Sequence, residues 1–367
     1  MGDSDFQYKL FNGILHDCFK YEGNNTDFRR FNYNLPKRTI RHIEDFLFLF
    51  LGKLGFFRRH FDMEVANNYL SFVIQNIDKI EKVYHLLSDD YSKSLFLELL
   101  KFKTLNNRHV KLPVNNKLYW SKYYKEDRKH LKDRKTIDTG RWHLNNYEID
   151  GEGGLINLHG YILTTFLLEQ YAYQKKTKTI KVNQGDFVID GGACWGDTSL
   201  YFADKVGAKG KVYAFEFVKD NLTILKKNID LNKHLENRIE LVENALWDIS
   251  GEVLEFSPRG PSTWLGVVKK NVIAQQASTL TIDDLVEEKR IPKIDFIKMD
   301  IEGSELPALI GAKKTIQEFK PKLAISIYHK IDDFLEIPLF IENLALGYKF
   351  FIDHYTIHSE ETILFAE

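Results

Sequence analysis

The chain of 367 residues is long enough for two domains, since a typical domain spans about 100–200 residues. It carries 51 lysine and arginine residues against 52 aspartate and glutamate residues, and this balance provides no basic field that would attract nucleic acid or an anionic membrane. The 44% hydrophobic content and the 8 prolines supply a sizeable core and exclude disorder as the dominant state.

Three features of the sequence bear on the compartment. Cys18 and Cys194 lie far apart, which argues against a disulfide framework and favours a reducing compartment. The longest apolar run, Phe46 to Leu51, is much shorter than the roughly 18 residues of a membrane span. The acidic N-terminus lacks the apolar core of a signal peptide. We therefore expect a cytoplasmic protein without a transmembrane segment.

Residues 1–150 carry the apolar spacing of amphipathic helices. Such spacing predicts a helix over Ile43–Leu51 and further helices within Val65–Leu87 and Ser92–Phe102. The charge-dense stretch Lys122–Lys135 is expected to be a solvated helix or a linker. The sequence therefore predicts a mainly helical N-terminal domain.

From residue 151 onward, short Val/Ile/Phe runs alternate with helical stretches, as in units built around a mostly parallel sheet. A helix is predicted over Leu158–Gln174. Predicted strands follow at Phe187–Asp190, Lys211–Glu216, Ile239–Glu243, Ile294–Met299, Leu323–Tyr328, Tyr348–Asp353 and Thr362–Phe365. With helices between them, this order predicts an α/β fold with a doubly wound sheet and an antiparallel terminal strand.

The sharpest local signal is the run Asp190–Asp197, with the sequence DGGACWGD, between a predicted strand and a helix. Glycine lets the backbone turn tightly and approach a ligand without a Cβ, and open α/β sheets bind ligands at this edge. As a dinucleotide fingerprint the run is degenerate, because Ala193 replaces the middle glycine. The carboxylate of Asp190 would repel a pyrophosphate but suits a cationic amino-acid tail.

Two further strand ends sharpen this interpretation. Glu216 ends the next strand, where a carboxylate can accept hydrogen bonds from both hydroxyls of a ribose. Asn244 and Ala245 follow the third strand, where an amide side chain can read an adenine edge. Together with Asp190, these residues favour S-adenosylmethionine over a nicotinamide dinucleotide.

A second cluster of polar residues lies in the run Ile297–Glu305, with the sequence IKMDIEGSE. A buried strand brings Lys298, Asp300 and Glu302 to the same crevice, with Lys298 and Asp300 on one side of the strand. Glu305 is expected to complement the dipole of the next helix. His329 ends the following strand, and the ordinary pKa of histidine suits a general base near neutrality.

Taken together, five ordered motifs resemble those of the FkbM-type methyltransferases over about residues 180–366: Asp190–Asp197, Phe215–Glu216, Asn244–Ala245, Thr281–Leu285 and Ile297–Glu305. The resemblance implies a class I, Rossmann-like fold that uses S-adenosylmethionine. Relatives of this kind commonly methylate a hydroxyl on sugars or natural products, and some serve surface polysaccharides. Trp195 departs from the common pattern and is expected to narrow or cap the pocket.

The resemblance also implies roles for individual residues. The expected cofactor-binding residues are Asp190, Gly192, Ala193, Gly196, Asp197, Thr198, Glu216, Asn244, Ala245 and Asp300. The expected catalytic residues at the reacting end are Lys298, Asp300, Glu302 and His329, with His329 or a carboxylate as the base. Asp300, Glu302 and His329 also suit a hard divalent cation, but the sequence spacing does not favour one, and we predict no metal ligand.

The leading hypothesis is an O-methyltransferase acting on a small-molecule or glycan acceptor, with residues 151–367 as the methyltransferase domain. Residues 1–150 would select the acceptor or form a homodimer interface. Two alternatives stay open, a nicotinamide-dependent oxidoreductase and a non-catalytic binding protein on the same fold. No nucleic-acid partner is expected, because no basic stripe accompanies the site.

Overall fold

The structure is a computed structural model that describes residues 4–18, 20, 63–105, 109–139, 142–176, 178–268 and 272–367. The helix expected over Ile43–Leu51 lies outside these residues. The chain divides into two compact units, Met1–Lys117 with His354–Glu360 and Leu118–Asp353 with Glu361–Glu367. Within the described ranges, every helix is too short or too polar to serve as a membrane span.

The first unit is built from helices in its described part. Their bounds are α1 Ser4–Asp17, α2 Met63–Gln75, α3 Ile77–Leu86 and α4 Asp90–Leu105. Phe6 is fully buried, and its ring centroid lies 4.8 Å from that of Tyr84 on α3. The Nζ atom of Lys101 on α4 lies 2.7 Å from the Asp17 carboxylate at the end of α1. The helices predicted within Val65–Leu87 and Ser92–Phe102 are confirmed.

The second unit starts earlier than the predicted boundary near residue 150. Short turns lead into a three-stranded antiparallel sheet with order β1-β2-β3. These elements are α5 Lys117–Ser121, a π-helical turn Lys122–Glu126, α6 Asp127–Lys129, β1 Leu131–Asp138, β2 His143–Asp150 and β3 Leu155–Gly160. The expectation that residues 1–150 are mainly helical is therefore wrong for this part of the chain.

The helix predicted over Leu158–Gln174 is also wrong, because its first residues belong to β3 and the rest form a short turn and a hairpin strand. Leu158 of β3 stands opposite Tyr147 of β2, and Ile156 stands opposite Ile149. All four are buried, so cross-strand pairing fixes a strand at this point. A π-helical turn, Leu163–Leu167, and the hairpin of β4 Tyr173–Lys175 and β5 Lys178–Ile180 complete the segment.

The rest of the second unit alternates strands with helices. The strands are β6 Phe187–Gly191, β7 Lys211–Phe215, β8 Ile239–Val242, β9 Ala245–Leu246, β10 Val253–Phe256, β11 Gln275–Leu280, β12 Phe296–Met299, β13 Lys322–Ser326, β14 Phe350–His354 and β15 Thr362–Ala366. The helices are α7 Asp197–Val206, α8 Lys219–Asp230, α9 Lys233–Glu236, α10 Ile282–Lys289, α11 Glu305–Ile310, α12 Lys313–Phe319 and α13 Asp333–Asn343. Three-residue 3-10 turns lie at Gly207–Lys209 and Gly260–Ser262.

Seven of these strands form one sheet in the order β14-β15-β13-β12-β6-β7-β8. The pairs from β13 to β8 are parallel, and β15 is antiparallel to β13. Every residue of β12 is buried, as expected for a parallel strand covered on both faces. The predicted doubly wound α/β sheet with an antiparallel strand near its end is confirmed.

The chain changes direction across the sheet next to β6. From β6 it proceeds outward through β7 and β8, and it returns to β12 on the other side of β6. Gly191 at the end of β6 stands level with Phe215 of β7 and Met299 of β12. The loops after these three strands therefore begin at one edge, which is where open α/β sheets form a ligand crevice.

Gly192 occupies the tightest point of this edge. Its φ is +83°, and a Cβ atom there would lie 2.0 Å from the backbone oxygen of Asp300. Only glycine lets the loop after β6 approach the loop after β12 this closely.

We predict that Gly192→Ala destabilises the protein far more than Gly251→Ala. Gly251 has the same φ of +83°, but a Cβ atom added there would meet no atom within 4 Å, so its substitution costs only the backbone strain of about 1–3 kcal/mol. At Gly192 a steric overlap adds about 1–3 kcal/mol or more. Urea denaturation of both variants measures the difference, and equal losses of stability would contradict the packing argument.

Candidate active site

A buried ion pair lies beneath the loop that follows β6. The carboxylate of Asp190 accepts hydrogen bonds from the hydroxyls of Thr198 (2.8 Å) and Ser199 (2.6 Å). The Nζ atom of Lys298 lies 3.0 Å from this carboxylate and donates to the carbonyl oxygens of Gly191 (2.9 Å) and Gly192 (2.8 Å). Both charged side chains are at most 1% exposed.

These contacts change the interpretation of two predicted site residues. Burial alone would lower the pKa of Lys298, but the carboxylates of Asp190 and Asp300 hold it above its ordinary value. Lys298 is thus a charged support for the glycine loop and does not reach an acceptor at the reacting end. Asp190 likewise has its oxygens occupied by protein partners and does not line the cleft.

A cleft opens above this loop, where the chain leaves β6, β7 and β12. Its lining includes the carboxylates of Glu216, Asp300 and Glu302 and, among the described residues, no lysine or arginine. The backbone of Gly192 and the 3-10 turn at Gly260–Ser262 form parts of its wall. The cleft is therefore acidic.

Glu216 lies at the end of β7 and is held by its own loop. One carboxylate oxygen accepts the backbone N–H groups of Phe217 (2.9 Å) and Val218 (2.7 Å), and the other accepts Nδ2 of Asn221 at 3.3 Å. Burial raises the pKa of Glu216 to about 7, although these hydrogen bonds act in the opposite direction. The side chain thus presents a fixed acceptor that loses its charge just below neutrality.

The other residues predicted to bind the cofactor divide into two groups. Asn244 lines the cleft, and its Nδ2 atom donates to the carbonyl oxygen of Ser278 at 3.3 Å. The remaining residues build the surrounding loops and do not line the cleft. Ala193 donates its N–H to the carbonyl oxygen of Phe215, and Gly196 caps α7 at a φ of +87°. Asp197 accepts a hydrogen bond from the Thr165 hydroxyl, Thr198 donates to Asp190, and Ala245 is buried in β9. Burial raises the pKa of Asp197 to about 6.

Asp300 follows β12 and faces the cleft. Its oxygens accept the phenol hydroxyls of Tyr171 (2.9 Å) and Tyr328 (3.0 Å). Burial alone would raise the pKa of Asp300, but the charges of His329 and Lys298 and the two hydroxyls hold it below its ordinary value. Asp300 is therefore a fixed carboxylate with its orientation set by two tyrosines.

His329 follows β13 and lies among three carboxylates. Its Nδ1 atom is 2.9 Å from Glu305, and its Nε2 atom is 3.5 Å from both Asp300 and Glu302. Burial alone would lower the pKa of His329, but the three carboxylates outweigh it and raise the pKa to about 10. In this state the imidazole carries a proton at neutrality, which argues against the predicted role of His329 as a general base.

Three residues near the site have contacts that the sequence analysis did not predict. Tyr171 gave no signal, since it lies 129 residues from the Asp300 carboxylate that it contacts. Glu305 lies in the first turn of α11, as expected, and it is also fully buried against His329. Trp195 does not cap the cleft, because it packs with Leu144 and Ile224.

Comparisons with known proteins assign the class of the fold. The structure resembles a crystal structure of an FkbM methyltransferase from Methylobacillus flagellatus, with a TM-score of 0.52 and 22% identity, over 81% of this chain and 60% of that one. An O-methyltransferase from Bacillus cereus in complex with S-adenosylhomocysteine matches with a TM-score of 0.32 and 16% identity, over 56% of this chain and 77% of that one. The second unit has the fold of the class I methyltransferases.

The sequence of this unit carries the predicted resemblance. Residues 182–350 match the model of the methyltransferase FkbM domain. The predicted resemblance to the FkbM-type methyltransferases is confirmed over these residues. A search of curated protein sequences found no match.

We predict that Lys298→Met destabilises the protein by about 3–5 kcal/mol, because Asp190 keeps a buried charge without a partner. The matched control is Lys226→Met, which removes a pair with Glu243 whose side chains are 51% and 53% exposed, and which should cost no more than about 1 kcal/mol. Adding Asp190→Asn to Lys298→Met should restore part of the loss. Urea denaturation measures the free energy of unfolding of all three variants. An equal loss of stability in Lys298→Met and Lys226→Met would refute the role of Lys298 as a support for the glycine loop.

Proposed function

We propose that the protein transfers a methyl group from S-adenosylmethionine to a hydroxyl oxygen of a sugar or of a surface-polysaccharide precursor. The acidic cleft at the switch point of the FkbM domain carries this proposal. S-adenosylmethionine is a cation, whereas a nicotinamide dinucleotide is an anion that would meet three carboxylates in a cleft whose described lining has no lysine or arginine. The charge of the cleft therefore supports the methyl donor and disfavours the oxidoreductase alternative.

The residues around the cleft fit the donor at separate points. Glu216 offers oxygens at a strand end where a ribose can donate from both hydroxyls. Gly192 leaves the wall without a side chain, since a Cβ there would meet Asp300. Asn244, which also lines the cleft, offers an amide for the adenine edge. Asp300 and Glu302 lie at the remaining end and would meet the positive charge of the donor.

When bound, S-adenosylmethionine supplies a methyl carbon on a sulfonium, so that transfer forms the O–C bond, breaks the S–C bond and leaves the electron pair on sulfur. The protein holds the acceptor in line and removes its proton. Asp300 and Glu302 line the cleft and accept this proton, whereas His329 is only 4% exposed. The fixed orientation of Asp300 on Tyr171 and Tyr328 keeps one of these carboxylates in place.

An aromatic side chain beside the carboxylates supports a sugar as the acceptor. A Cβ atom at Gly303, the residue after Glu302, would lie 3.3 Å from the ring of Trp264. Trp264 follows the 3-10 turn that lines the cleft and is partly exposed. An amphipathic ring of this kind presents an apolar face on which the carbon face of a sugar can pack.

We predict that the affinity for S-adenosylhomocysteine falls as the pH drops below about 7. Ribose hydroxyls bind the ionised carboxylate better than the protonated one. The affinity is therefore greatest above the pKa of Glu216, and below this pKa the loss of affinity approaches about tenfold per pH unit. The Glu216→Gln variant should bind more weakly and lose most of this slope. Calorimetric titrations from about pH 5.5 to about pH 8, a range that spans this pKa, measure the affinity of both proteins. An unchanged pH dependence of the affinity in Glu216→Gln would contradict a role of Glu216 in ribose binding.

The methyl transfer itself is tested with donor carrying a labelled methyl group and a panel of glycosides with free hydroxyls. We expect label in an ether that resists base, and a loss of about 100-fold or more in the rate at saturating donor in Asp300→Asn. Label in a base-labile ester or on nitrogen would refute methylation of a hydroxyl. Donor binding without transfer to any acceptor would favour the non-catalytic alternative.

A further inference from the structure

We propose that His329 is a positioning residue for the cleft carboxylates Asp300 and Glu302, which it holds in place as an imidazolium ion anchored on Glu305. His329 follows β13, and the two carboxylates follow the neighbouring strand β12. The part that the imidazolium plays in methyl transfer rests on the proposed function, whereas its charge can be tested without it.

The imidazole lies between the two cleft carboxylates and a buried one. Its Nε2 atom is 3.5 Å from an oxygen of Asp300 and 3.5 Å from an oxygen of Glu302. Two carboxylates this close to one point repel each other, and a positive charge between them offsets the repulsion. Because the His329 side chain is only 4% exposed, solvent screens this charge little.

Glu305 fixes the opposite edge of the ring. The Nδ1 atom of His329 lies 2.9 Å from a carboxylate oxygen of Glu305, and the backbone N–H of Ile301 donates to the same oxygen at 2.8 Å. Glu305 is fully buried, and a buried carboxylate is unfavourable without a cation beside it. The pair therefore stabilises the charged form of the ring and directs its Nε2 atom toward the cleft carboxylates.

The end of β13 also holds the loop that carries the two carboxylates. The hydroxyl of Tyr328 donates to Asp300 at 3.0 Å, and the Nζ atom of Lys330 donates to the carbonyl oxygen of Gly303. Glu302 and Gly303 have φ angles of +54° and +88°. A residue other than glycine keeps such a conformation only where its surroundings impose it, as at functional sites. The imidazole thus belongs to a run of three residues that together restrain a strained loop.

Further titratable groups face this network. They are Tyr171, Lys298, Asp333 of α13 and Glu361. Lys298 is paired with Asp190, and Asp333 and Glu361 only add negative charge. In the described part of the chain, the imidazole is therefore the cation placed between the cleft carboxylates.

The pKa values of the two partners agree with this geometry. Burial alone would lower the pKa of His329, but the charge of Glu305, followed by those of Asp300 and Glu302, raises it to about 10. Burial alone would raise the pKa of Asp300, and the charge of His329 is the largest influence in the opposite direction. The ring is therefore charged at neutrality and helps to keep Asp300 ionised.

The first test is the protonation state of His329 in the purified protein, measured by NMR of histidine rings labelled with ¹³C and ¹⁵N. The resonances of His329 are those that disappear in His329→Gln. We expect a charged ring from about pH 6 to about pH 9, below the pKa of about 10. Glu305→Gln and Glu302→Gln should each lower this pKa, because each removes a neighbouring negative charge. The control Glu318→Gln alters an exposed carboxylate of α12 and should leave the titration unchanged.

The second test is the rate of methyl transfer at saturating donor to a glycoside that accepts the label. We expect His329→Gln to lose about 100-fold and to reach its full rate only at a higher pH, because Asp300 loses the charge that lowers its pKa. A merely structural role would lower the rate without moving the pH profile. The control His234→Gln, which alters an exposed histidine of α9, should keep both the rate and the profile.

A neutral ring at about pH 7 would overturn the proposal, and so would an unchanged rate or pH profile in His329→Gln. If His329→Gln fails to fold, the ring is assigned by its shift in Glu302→Gln, because the Glu302 side chain is 21% exposed and tolerates the change. The NMR measurement needs no acceptor. A charged ring in a protein that methylates no glycoside would reject the proposed function and still support the placement of the carboxylates by His329.

Discussion

The buried ion pair between Asp190 and Lys298 is the interaction on which the rest of the site depends. It joins β6 to β12 at the point where the chain changes direction across the sheet. Removal of two charges from water is unfavourable unless every remaining polar atom finds a partner. Here two hydroxyls satisfy the carboxylate, and two carbonyl oxygens of the glycine loop satisfy the ammonium group. The pair thus fixes the loop that forms the floor of the cleft, and it leaves that floor free of side chains.

Above this floor the charges are unbalanced. Glu216, Asp300 and Glu302 line the cleft, and Glu305 lies buried behind it. Among the described cations, Lys298 is paired with Asp190, the imidazole of His329 lies among Asp300, Glu302 and Glu305, and Lys330 donates to the carbonyl oxygen of Gly303. Such a site binds cations more readily than anions. The excess of negative charge in the cleft therefore favours the proposed methyl donor.

The strand ends of the central sheet were predictable from the sequence, because short apolar runs followed by Asp190, Glu216 or Asp300 mark the edge where ligands bind. The role of Lys298 was not predictable, because strand alternation placed Lys298 beside Asp300 on one side of the strand. In the structure Asp300 lies beyond the last residue of β12. The contact of Tyr171 with Asp300 spans 129 residues and leaves no local pattern. The small sheet of β1 to β3 was missed, since its register depends on pairs such as Tyr147 with Leu158 that only the folded chain brings together.

The most direct test of this account is a calorimetric comparison of S-adenosylhomocysteine with NAD⁺ on the purified protein. The acidic cleft and the family of the domain predict that S-adenosylhomocysteine binds with a single equivalent in the micromolar range and that NAD⁺ does not compete. Binding of NAD⁺ in its place would contradict the account, because an anionic dinucleotide would then occupy a cleft lined by three carboxylates.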